Sequence, residues 1–69
     1  MCRSIKRLRE GDHIANEDEI RAAAVQFVRK VSGFSKPSAK HQPAFEQAVE
    51  EITAASQRLL REVASKLAA

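Results

Sequence analysis

The sequence predicts an all-α protein: an antiparallel helical hairpin with a short N-terminal segment, completed to a four-helix bundle by dimerisation. Three observations lead there. Two long stretches carry apolar residues at helical spacing, Ile20/Ala24/Phe27/Val28/Val31 and Phe45/Val49/Ile52/Leu59/Leu60/Val63/Leu67. Strong boundary residues separate them, with Asn16 before the first stretch, Gly33 after it and Pro37 and Pro43 in the approach to the second. The two predicted helices also differ in length, which leaves an apolar overhang that one copy of a 69-residue chain has little left to cover.

Size sharpens the last point. A chain this short buries only ~60% of the surface it exposes when unfolded, so its core is marginal without a staple. The single cysteine excludes an intramolecular disulfide, and Cys2, His13 and His41 lack the close spacing of a zinc site. Oligomerisation is the staple that remains.

The chain reads as one domain. Residues 1–16 are a basic leader and loop, 17–32 a first helix, 33–41 a turn and 42–67 a second helix. In the leader, Arg3, Lys6, Arg7 and Arg9 surround Cys2, Ile5 and Leu8, whose spacing suits one or two turns of helix docked on the body. Residues 10–16, EGDHIAN, read as a loop with turn formers at Gly11 and Asp12 and a surface histidine at His13. Asn16 with Glu19 three residues on resembles a capping box, and Glu17 and Asp18 complement the helix dipole.

The first helix presents its apolar stripe to the second, and Val25 falls on the far side as a lone exposed valine. Gly33 stops the helix after Arg29 and Lys30, cations suited to the last turn. Phe34 is expected to fold back and close the end of the core. A turn as short as residues 33–41 makes the two helices antiparallel neighbours.

Pro43 is tolerated only in a first turn, which places the second helix start near Gln42. Ser56 interrupts the apolar stripe, and its hydroxyl is expected to bond the Ile52 carbonyl. At 1.5 Å per residue the second helix is ~38 Å long and the first ~24 Å. The overhang carries Leu59, Leu60, Val63 and Leu67, the candidate dimer surface. Either Ile5 and Leu8 of the leader or a second copy of the chain must cover it.

No catalytic constellation emerges. Cys2 is the one candidate nucleophile, neither histidine is placed beside it, and Ser56 has no base, so a non-enzymatic protein without cofactor or metal is expected. At the N-terminus a cysteine could chelate a metal through its amine and thiol, but no third group is placed for it, and Cys2 reads as a small apolar residue.

The charge is modestly basic, with 12 Lys and Arg against 9 Asp and Glu and a pI near 9.5. Arg3, Lys6 and Arg7 in the leader and Arg29, Lys30, Lys36 and Lys40 around the turn form a candidate anion or partner surface. Only three phenylalanines and no tyrosine or tryptophan are present, too few for a stacking platform on single strands. Non-specific phosphate contact with nucleic acid is the alternative to a self-associating interaction module that presents a surface to a further protein partner. No apolar run approaches the ~18 residues of a membrane span, and no apolar segment of a signal peptide follows the basic start. A cytoplasmic protein is expected.

The opening MCRSIK, the central EIRAAAVQFVRKVSGFSKPS and the later AFEQAVEEI resemble a short bacterial family known only as domain of unknown function 2277. Its pattern is a Met-Cys-Arg-x-Ile start, an EIRAAAxQxVRK helix, an SGFxKPS turn and an AFxxAVxE helix. The resemblance covers most of residues 1–60 and implies a bacterial protein. It brings no catalytic or binding residues and no fold. EGDHIANED stands where the family pattern has a proline-containing segment, and longer members continue past the position of Leu67 into an Ala/Arg-rich tail.

Overall fold

A computed structural model describes residues 6–68. The element order is β1 (Arg9–Glu10), β2 (His13–Ile14), α1 (Glu17–Ser32) and α2 (Gln42–Ala68). The two helices pack as an antiparallel hairpin, and β2 lies against α2.

The first correction concerns the loop expected over residues 10–16. Those residues build a small β-hairpin, with Arg9 opposite Ile14 and Glu10 opposite His13. Gly11 adopts φ 60°, which permits the two-residue turn Gly11–Asp12. The Arg9 guanidinium donates to the Gly11 carbonyl at 2.7 Å, and the Ala15 N–H donates to the Leu8 carbonyl at 2.9 Å. Turn chemistry in Gly-Asp, read from sequence as a generic turn, here joins two extended residues on each side. The helical turns expected for the leader do not extend to Lys6, Arg7 and Leu8, which are irregular, and Cys2 and Ile5 lie outside the described residues.

Both ends of α1 follow the local signals. Asn16 caps it by accepting the Glu19 N–H at 2.9 Å, with Glu17, Asp18 and Glu19 in the first turn. Gly33 ends it at φ 81°, in the left-handed region, and donates its N–H to the Arg29 carbonyl at 2.9 Å. The start of α2 is prepared by a turn in which Ser38 accepts the N–H groups of His41 and Gln42 at 3.0 and 2.9 Å. Pro43 then sits where its missing N–H is not needed. On the exposed faces of α2, Gln42 donates to Glu46 and Gln47 to Glu51, each four residues apart.

The core is thin. Among the described residues the buried side chains are Ile20, Ala24, Val28, Val49 and Thr53. Val25, Phe45, Ala48 and Ile52 pack around the cluster formed by Ala24, Val28 and Val49. Val25 was expected on the far side of α1; it instead flanks the seam, because the helix contact is centred on Ala24 and Val28. That rotation turns Phe27 and Val31 outward, at 43% and 70% exposure, although both belong to the expected core stripe. The hydroxyl back-bond expected at Ser56 is made three residues earlier, by Thr53, which donates to the Val49 carbonyl at 2.7 Å. Satisfied in this way, a polar side chain occupies the buried seam without an unpaired hydroxyl.

Replacing Gly33 by alanine puts a Cβ on a left-handed backbone, at a cost of about 1–2 kcal/mol. Asn16→Ala removes the α1 cap for about 1 kcal/mol. Each substitution is expected to lower the thermal midpoint by roughly 4–8 °C per kcal/mol in a domain of this size, read by circular dichroism. An unchanged midpoint for both would contradict the capping assigned to α1.

Candidate functional site

At the turn end of the hairpin, α1 and α2 flank an apolar groove of about 230 Å³. Phe27, Val28 and Val31 form one wall, Ala44, Phe45, Ala48 and Ile52 the other, and Phe34 and His41 the end. The Phe34 ring stacks on His41 with centroids 5.0 Å apart and planes inclined by 25°. Ser32 also lines the groove, and its hydroxyl oxygen accepts the Phe34 N–H at 3.2 Å. Phe34 therefore does not close the core as expected. Held beside His41 and 37% exposed, it forms the end wall of an open groove.

The lining defines the chemistry available. Only Ser32 and His41 bring polar side chains, and the volume lies below the ~300–1,000 Å³ typical of small-molecule sites. Among the described residues no three His, Cys, Asp or Glu side chains come together as a metal site. The groove suits the apolar side chains of another helix, seated between two helices as in a bundle.

Four of the sequence-derived cations are placed around this end. Arg29 and Lys30 occupy the last turn of α1, Lys36 lies in the connecting turn, and Lys40 lies just before α2; all four are exposed. Lys6 is committed elsewhere, to a 2.5 Å ion pair with Glu19 that ties the leader to the first turn of α1. Arg7 is exposed, and Arg3 lies outside the described residues. The basic leader and the basic turn therefore do not form one continuous surface through Lys6.

The candidate dimer surface lies at the opposite end of α2. Leu59 and Leu67 are exposed, at 61% and 56%, while Leu60 and Val63 are half-buried. The apolar surface is thus in two parts, and the groove was not visible from periodicity. Its signal was present in the width of the α1 stripe: Phe27 and Val31 together with Ala24 and Val28 exceed what one neighbouring helix can cover.

Comparison with known families settles the chain's membership. The sequence pattern of an uncharacterised conserved protein family matches residues 1–69. The chain belongs to the DUF2277 family. No curated protein and no solved structure matches it. Membership bears out the resemblance carried by the MCRSIK start, the central helix and turn and the AFEQAVEEI segment, and it assigns no function. No described helix is long and apolar enough to cross a membrane.

The Lys6 pair has a measurable consequence. Its ammonium hydrogen-bonds Glu19 and attracts it electrostatically, holding the carboxyl below its ordinary value of 4.5; the Asn16 backbone N–H and His13 act in the same direction. A carboxylate whose pKa is depressed by folding stabilises the fold above its unfolded pKa, and the contribution disappears as pH falls through the folded pKa. Glu19→Gln is expected to flatten the fall in urea midpoint below pH 4.5. Parallel acid limbs for wild type and variant would dismiss the pair as a contributor.

Proposed function

We propose that the protein is a small non-enzymatic helical module that works by association, first with a second copy of itself. The observation that carries this reading is the groove between α1 and α2, an apolar surface left open beside a core that is thin among the described residues. Contiguous exposed apolar surface of this kind is characteristic of interaction sites. The exposed Leu59 and Leu67 at the far end of α2 add to it. Two copies would together provide four helices, enough to enclose a core that two helices cannot.

A second reading has its own support. The exposed Arg29, Lys30, Lys36 and Lys40 cluster in sequence and along the same end of the hairpin, and such a group suits phosphate. No helix of the hairpin carries a base-reading signature, so this contact is non-specific and positional. On this reading binding to a labelled duplex falls steeply between ~50 and ~200 mM salt. A duplex left unshifted at low salt dismisses it.

Sedimentation velocity over a hundredfold concentration range tests the main reading. The wild type is expected to sediment as a dimer and Val31→Asp as a monomer of unchanged helicity, because Val31 is 70% exposed within one copy and its replacement spares the internal seam. A wild type that remains monomeric throughout overturns self-association. An equally dimeric Val31→Asp removes the groove from the interface.

A further inference from the structure

We infer that the occupant of the groove is the C-terminal half of α2 from a second copy of this chain, docked antiparallel about a two-fold axis beside Ala55 and Ser56. The inference rests on the self-association reading and specifies its geometry.

Two apolar stripes run along α2. One faces α1 through Val49 and Thr53, both buried. The other begins in the groove with Phe45, Ala48 and Ile52 and continues through Ala55 and Leu59 to Val63. Its steps are three and four residues, the spacing of a helix-packing seam. Within one copy the stripe has a groove at its beginning and an exposed leucine overhang at its end.

Antiparallel pairing about residues 55 and 56 makes these ends complementary. Ile52 lies level with Leu59 of the second copy and Ala48 with its Val63. The overhang of each copy thereby enters the groove of the other, where Ala44 and Ala48 leave room for the larger side chains. Ala55 and Ser56 at the axis are small enough for the two helices to approach closely.

Charge selects the same orientation. The first half of α2 carries Glu46, Glu50 and Glu51, and the second half carries Arg58, Arg61 and Lys66 with one carboxylate, Glu62. A parallel arrangement sets like charges level, whereas the antiparallel one lays the acidic first half of α2 along the mainly basic second half of the second copy, with Glu51 and Arg58 two residues from level, twice by symmetry. The helix dipoles then also oppose one another.

The test is symmetry-specific cross-linking in the full chain. In a Cys2→Ser background, Ala55→Cys brings each new thiol to its own mate across the axis, within reach of disulfide geometry. Ala54→Cys, one residue away on an exposed face, does not. Mild oxidation is expected to convert most Ala55→Cys chains, and few Ala54→Cys chains, to linked dimers at a concentration where sedimentation shows dimer. A wild-type dimer in which Ala55→Cys fails to link, or links no faster than Ala54→Cys, overturns this register and leaves self-association standing. A wild type monomeric at all concentrations overturns both. Should sedimentation show the Ala55→Cys chain itself to be monomeric, Glu51→Arg combined with Arg58→Glu replaces it as the test: the single changes weaken the wild-type dimer at least threefold and the pair restores it, and single changes without effect overturn the register.

Discussion

The contact of Ala24 and Val28 with Val49 is the constraint on which everything else depends. Two helices share one line of contact, and each can bury only the narrow strip that faces the other. Here the strip is made of small and medium side chains, which lets the helices come close and also limits the area removed from water. Several larger apolar residues, Phe27, Phe34 and Leu59, and Val31 with them, are therefore left on the flanks and ends rather than inside. The groove and the leucine overhang are two consequences of the same narrow seam.

Local interactions confine the chain to this arrangement. Asn16 and Gly33 define the ends of α1, and the Ser38 carbonyl and Pro43 define the start of α2, so the lengths of α1 and of the turn are specified by neighbours in sequence. Lys6 joins the leader to α1 through Glu19, and the small β-hairpin brings β2 onto α2. These additions cover part of the long helix without closing its apolar face, since Leu59 and Leu67 remain exposed.

Helix boundaries were largely legible because their causes lie within a few residues of one another. A side-chain oxygen at Asn16, a left-handed glycine at position 33 and a proline at 43 act on the backbone next to them. The β-hairpin was less legible: two residues per strand give no alternation to read, and Gly11–Asp12 serves loops and hairpins alike. The candidate site was legible only by halves. The overhang follows from unequal lengths, which residue counting supplies. The groove depends on the rotation of α1 about its axis, and a shift of a fraction of a turn exchanges Val25 for Phe27 at the seam.

By itself the amino-acid sequence determined two helices, their caps, an excess of apolar surface over what a hairpin can bury, and membership of an uncharacterised conserved family. Only the tertiary structure decided which apolar residues meet. It placed Val28 and Val49 inside, turned Val31 outward, committed Thr53 rather than Ser56 to the back-bond, and opened the groove at the turn. The reason is physical: caps and turns are governed by adjacent backbone groups, whereas the choice among nearly equivalent apolar faces is made by the fit of side chains from helices distant in sequence.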